Sequence, residues 1–265
     1  VVQIPAVLYC GFRYRPLFHI RYPAIKRIFS LTLPRLFAIG ASQINLLFIT
    51  AFASTMSGGI AIFTFANNLQ YFPVSLIAIP FAVASFPLLS KNWAHNKRDE
   101  FRENFSLIFR QILFLMIPLV ILFFLLRAQI VRLVLGSLGE RGRFDWTATQ
   151  LTAASLGLFS LAILAFAFIP YLSRAFFSFQ DTKTPTLIAL FSVLFNIFLA
   201  FSLVRLFGNH FSQNFFANLF KLQGISDMRI LALPFAFSLS GIFQCLLLFF
   251  FLYRKIGDFG IKKIL

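Results

Sequence analysis

The sequence predicts an all-α polytopic membrane protein with six transmembrane helices, and three observations carry that prediction. Hydrophobic residues make up 59% of the 265 and charged residues only 12%, about half the charged share of a soluble domain. The apolar sequence falls into six windows of about 20 residues, each long enough to cross a hydrocarbon core of about 30 Å. The polar sequence between the windows alternates in basic character, as in a chain threaded back and forth through a bilayer. A formal charge of +16 would suit a nucleic-acid binder on count alone. The basic residues instead sit in short clusters between apolar runs, which excludes nucleic acid as a partner.

Residues 1–30 open with VVQIPAVLYC, too short to span a bilayer alone and lacking the basic n-region and small-residue cleavage site of a signal peptide. They read as the end of a preceding helix and a basic cytoplasmic linker, and the sequence as part of a longer chain. Spans at about 31–53, 60–89, 105–126, 148–172, 186–207 and 230–253 then form a six-helix transmembrane lobe over 31–253. A basic cytoplasmic tail, 254–265, follows. Of the 24 Lys and Arg, seven (Arg127, Arg132, Arg141, Arg143, Arg205, Lys221 and Arg229) fall on one side of these spans and the other seventeen on the opposite side. The seven mostly flank helix ends, where they can snorkel. Positive residues accumulate on the cytoplasmic face, so both ends of the chain are expected inside, in a cytoplasmic (inner) membrane.

The second span carries amides and prolines together: Asn67, Asn68 and Gln70, then Pro73, Pro80 and Pro87. At 100° per residue, Thr64, Asn68, Tyr71, Ser75, Ala78, Ala82 and Ser85 share one arc of roughly 100°, and bulky residues fill the rest. Ala78, Ala82 and Ser85 suit close helix packing, where small residues let backbones approach. Asn68 with Tyr71 would be costly in a dry interface, and polar groups at membrane depth face water or a partner. Thr64, Asn67, Asn68, Tyr71 and Ser75 therefore form a candidate substrate-cavity wall. The prolines break the hydrogen-bond ladder and predict a bent helix.

Arg35, at the inner end of the first span, suits either interfacial anchoring or contact with a substrate phosphate. Gln43 and Asn45 are two apart on a helix, so only one can readily line a cavity. Asn196 is a lone amide in its span and reads first as an interhelical hydrogen bond, with the cavity as the other reading. No acidic residue lies deep in a span, which leaves a carboxylate proton relay without candidates. Cys10 and Cys245 offer neither a disulfide framework nor a metal spacing. His19, His95 and His210 are scattered among loops. No phosphate-binding glycine loop, zinc helix or nucleophile elbow occurs, so neither enzymatic chemistry, nor a cofactor, nor a metal is expected.

Several stretches, in order, resemble the MurJ/MviN family, the lipid II flippases of bacterial cell-wall synthesis. VQIPAVLYCGFRYRPLFHIRYPAIKRIFSLTLPRLF resembles the family's link from its sixth helix into its seventh, and ASQINLLFITAFAS its Gln-Ile-Asn helix. FANNLQYFPVSLIAIPFAVASFPLLS resembles the eighth helix with its Pro-x-Leu-Ser ending, and RGRFDWTATQLTAASL the Gly-x-Phe-Asp turn before the tenth. The most specific is YLSRAFFSFQDTKTP, similar to the family's Arg-Ala-Phe-Tyr and Asp-Thr-Lys-Thr-Pro between helices ten and eleven. In that loop signature, Arg174, Asp181, Thr182, Lys183 and Pro185 are read as structural. Asp181 and Thr182 start a turn, and Pro185 opens the next helix at its preferred first position.

The resemblance implies that the six spans are helices seven to twelve of a fourteen-helix fold, forming one lobe of a two-lobe flippase whose first lobe lies elsewhere. It implies alternating access for a lipid-linked peptidoglycan precursor, with membrane lipids and the other lobe as partners. Relatives commonly carry an Arg, held to meet the lipid's pyrophosphate, where this chain has Asn68. They often have an acidic residue where Ile49 stands. Both charges are absent here. The alternatives are an exporter of another lipid-linked glycan or small molecule, and a non-transporting membrane scaffold in cell-wall assembly.

Overall fold

The computed structural model describes residues 9, 11, 23–139, 146–207 and 228–257, with backbone alone for 23–27, 30, 31, 34, 35, 38 and 137–139. All the regular structure among them is helical. Contacts group the chain into Val1–Leu33 and Pro34–Leu265. In the first group the described side chains in helix, Tyr9, Ile28, Phe29, Thr32 and Leu33, are exposed. The second holds the helical assembly.

Helix α1 spans Pro23–Ser54. A tight turn follows, in which Gly58 takes φ +67° and a Cβ on Gly59 would collide with the Ala53 carbonyl, so only glycines fit this return. The second span is helical throughout but not uniform: α2 (Gly59–Pro73), a π turn (Val74–Ala78) and α3 (Ile79–Ala94). After it come α4 (Arg98–Leu125), α5 (Arg127–Gly139), α6 (Trp146–Ser178) and α7 (Lys183–Leu206). A 3₁₀ turn, Arg229–Leu231, leads into α8 (Ala232–Ile256).

Among the described residues, five stretches are long and apolar enough to cross a membrane: Gly59–Ala94, Arg98–Leu125, Trp146–Ser178, Lys183–Leu206 and Arg229–Ile256. Each contains one of the expected spans or nearly all of it. The expected span 31–53 lies in α1, whose described apolar part is the shorter Ile39–Ser54. Helix α5 falls in sequence that reads as a connecting loop. Its Val131 and Leu135 are buried one turn apart, enough of an apolar edge to hold it against α6.

Helix α6 is the hub, packing against α2, α3, α4, α5 and α8. Residues 151–160 are buried without interruption, and Ala153, Ala154 and Gly157 keep that stretch slim. Lipid tails are as apolar as leucine, so close fit and interhelical hydrogen bonds, rather than escape from water, hold such helices together. Both are present. A Cβ added at Gly241 of α8 would come within 2.6 Å of the Phe166 ring. Buried Tyr171 donates to the Phe105 carbonyl of α4 at 2.8 Å, and Ser238 to the Leu158 carbonyl at 3.1 Å. Most other span hydroxyls return to their own helix, as Ser85 does to Ala82, which spares the membrane an open donor.

Candidate functional site: a polar face on the second span

Pro80 has no N–H for the Leu76 carbonyl, and its ring excludes that carbonyl sterically. The chain answers with a π turn, in which the Ile79 N–H reaches back five residues to the Val74 carbonyl. A π turn takes one residue more than an α turn, so the helix phase beyond it lags by one position. Thr64, Asn68, Tyr71 and Ser75 are all exposed. Their line continues through Ile79, Val83 and Phe86, not through Ala78, Ala82 and Ser85, which are 0%, 0% and 3% exposed. The single arc expected of an ideal helix is therefore two faces, one polar and open, one small and packed.

Asn67 and Asn68 point different ways. Asn67 is half-buried and accepts from the Gln70 amide at 3.1 Å, while Gln70 is 1% exposed and its Oε1 has no partner. Asn68 stays on the open face, where Ser75 bonds to the Phe72 carbonyl of its own helix at 2.9 Å. At the Thr64 end the face runs into an open depression of about 530 Å³ beside the α1–α2 turn, lined by Ser54, Met56, Gly58 and Phe65 among others. The face carries no charge. It can donate and accept neutral hydrogen bonds and nothing more.

The other candidates are distributed differently. Gln43 is exposed, whereas Asn45, two residues on, is half-buried and accepts from the Asn196 amide of α7 at 2.7 Å. Asn196 is 1% exposed and its own Oδ1 lacks a partner. Arg35 lies in α1, with its side chain outside the described residues. Ile49 is 2% exposed and belongs to an apolar cluster with Ala53, Met56, Ile62 and Phe63.

The loop signature builds a latch at the end of the lobe opposite the α1–α2 turn. The Asp181 carboxylate accepts from the Thr184 N–H and hydroxyl at 3.1 and 2.9 Å, and from Lys255 of α8 at 2.7 Å. Partial burial pushes this carboxyl up, but the Lys255 and Thr184 bonds outweigh it and hold it below its ordinary value. Lys255 also lies 5.3 Å from the Phe179 ring centroid, and Phe179 packs at 4.3 Å on Trp93 of α3. Arg102 of α4 completes the latch by donating to the Ile256 carbonyl at 2.6 and 3.0 Å. Pro185 is buried as the third residue of α7 rather than its first; its missing N–H still falls in the turn whose donors have no intrahelical acceptor. Thr182 precedes the helix, Lys183 is exposed, and the half-buried Arg174 approaches the Pro170 carbonyl at 3.5 Å. Lys255 and Arg102, which close the latch, carry no local sequence signal, because their partners lie 74 and 154 residues away.

A hub-and-spoke set of membrane-length helices, all the described regular structure being helical, defines a polytopic all-α membrane protein. The family profile described as "Lipid II flippase MurJ" matches residues 1–265, and the chain belongs to that family. A probable lipid II flippase MurJ of Vibrio cholerae serotype O1 is 31% identical over 198 residues, 74% of this chain and 37% of that protein. One of Rhizobium tropici is 31% identical over 192 residues, 70% of this chain and 35% of that protein. The chain thus spans little more than a third of the length of these relatives. A solved structure titled "Lipid II flippase MurJ, inward closed conformation" matches 99% of this chain and 50% of its own, with TM-score 0.64 and 22% identity, a likeness of fold.

Proposed function

We propose that this chain is one lobe of a flippase that carries a polyprenyl-pyrophosphate-linked peptidoglycan precursor, lipid II, across the cytoplasmic membrane. It works by alternating access and without covalent chemistry. The observation that carries the reading is the open polar face of Thr64, Asn68, Tyr71 and Ser75 in the first half of a membrane-length helix. Such a face is costly against hydrocarbon and favourable against a hydrated headgroup or a second lobe. Its amide and hydroxyls suit sugar and phosphate oxygens. A charged hydrogen bond is worth about 1.5–3 kcal/mol and a neutral one about 1, so cations for the diphosphate come from a partner lobe of the same protein. The basic asymmetry supports an orientation with both ends of the chain in the cytoplasm.

The test is rescue of a strain depleted of its own flippase by the full-length gene. Asn68→Leu, which removes the donor from the cavity wall, abolishes rescue, and Asn68→Arg is tolerated or improves it. Full rescue by Asn68→Leu would show that this amide only packs helices. For orientation, single cysteines at 58 and 96, in a background without Cys10 and Cys245, label from opposite faces of intact cells; labelling of both from outside rejects the topology.

A further inference from the structure

At the end of the lobe opposite the Asp181 latch lies a second polar feature, unconnected with the open face of α2. Helix α4 stops at Leu125, Leu126 leaves helical geometry with φ −94° and ψ 16°, and the chain restarts as α5 at Arg127. Between the end of α4, α5 and the head of α6 is a cavity of about 310 Å³, at the small end of the range for ligand pockets, about 300–1,000 Å³. Its lining includes Arg127, Gln129, Arg132, Trp146, Thr149 and Gln150, and no carboxylate among the described residues.

Both guanidiniums are braced. The Arg132 Cζ lies 4.8 Å from the Trp146 ring centroid. The Arg127 Cζ lies 5.4 Å from the Phe124 ring, and its Nη1 donates to the Phe124 carbonyl at 3.0 Å. A guanidinium stacked on a ring keeps its N–H groups in one plane, directed along its edges, which is the geometry that grips a phosphate. Five residues apart on α5, the two approach the cavity from directions about 140° apart around the helix. The surroundings are apolar: Leu125 in the lining is 66% exposed, and Leu133 and Val134, next along α5, are 86% and 47% exposed. Trp146 is itself half exposed, as a tryptophan at a membrane–water boundary is.

We propose that this cavity holds the phosphate of an anionic phospholipid headgroup from the adjacent leaflet, with the acyl chains lying over Leu125, Leu133 and Val134. A free phosphate would use the arginines and amides but not the apolar rim.

The chain has two tryptophans, so Trp93→Phe leaves Trp146 as a reporter inside the cavity. The 265-residue chain with that change is placed in phosphatidylcholine nanodiscs containing graded amounts of phosphatidylglycerol brominated on its acyl chains. Trp146 fluorescence is quenched at a several-fold lower fraction of brominated phosphatidylglycerol than of equally brominated phosphatidylcholine. Arg127→Gln with Arg132→Gln raises the required fraction about tenfold. Arg205→Gln, which removes a guanidinium stacked on Phe201 at 4.0 Å at the same end of the lobe, leaves the curve in place. Equal quenching by the two lipids, or an equal effect of Arg205→Gln, overturns the proposal. Loss of the phosphatidylglycerol preference on adding inorganic phosphate assigns the cavity to a free anion and overturns it as well. Arg132 is exposed, so Arg132→Gln alone carries the same test where the double variant incorporates poorly.

Discussion

Ser75 and Ala78 are three residues apart on one continuous helix, and they live in different environments. Upstream of the π turn, Thr64, Asn68, Tyr71 and Ser75 look outward; downstream, Ala78, Ala82 and Ser85 are sealed against the central helix. The difference teaches that a face on a membrane helix is defined by phase as much as by composition. One proline-induced extra residue shifts the phase by about 100°, and the open face passes from polar side chains to Val83 and Phe86. The open part of the stripe ends where the packed part begins.

That comparison can be broken most severely at the π turn itself. Inserting one alanine after Leu76 turns the upper face away from its present direction while the lower half stays packed, and rescue of a flippase-depleted strain is lost. Deleting Leu76, which is exposed, converts the π turn to an α turn without rotating either half, and most rescue is retained. Equal outcomes for the two changes would show that phase is not what matters. A smaller effect separates the halves by stability. Ala82→Phe overpacks a fully buried position and lowers stability by about 1–3 kcal/mol, read as an earlier thermal transition in detergent. Ser75→Phe, on the open half, leaves that transition in place and reduces rescue.

The smallest effect concerns the anchoring of the packed half, whose Trp93 rests on Phe179 beneath Lys255. The Asp181 carboxyl is held below its ordinary value chiefly because the Lys255 and Thr184 bonds overcome its partial burial. Its stabilisation is fully present above the unfolded value of about 3.9 and is lost as pH falls through the lower folded value. The wild-type chain therefore loses stability on acidification below about pH 4, and Asp181→Asn flattens that part of the profile. A profile that Asp181→Asn leaves unchanged would remove the latch from the account.

Much of this was legible in the sequence, for stated reasons. Membrane-length windows report spans directly, because hydrocarbon thickness fixes their length. Asn68 and Tyr71 stood out because amides and hydroxyls at that depth need a polar neighbour. Gln43 and Asn45 could be told to diverge from their spacing alone, and Asn196 read first as an interhelical bond, which it makes with Asn45. What escaped was non-local or a matter of phase. The π turn depends on how Pro80 resolves a steric conflict, which the 100° rule does not contain. Lys255 and Arg102 pair across long separations. Helix α5 buries too few residues, Val131 and Leu135 foremost, to show a period.

The open face also bears on how such a lobe is made. Insertion into a bilayer responds to the summed apolarity of a segment, and the most apolar 18-residue window within Gly59–Ala94 has a mean hydropathy of 2.0, ample for entry. Assembly responds to side-chain hydrogen bonds and fit between segments already in place. The same helix therefore enters the membrane as an apolar segment and then presents an unfinished polar seam. Biogenesis of the lobe has two separable stages, and a variant such as Asn68→Leu leaves the first untouched while removing part of the attraction that drives the second.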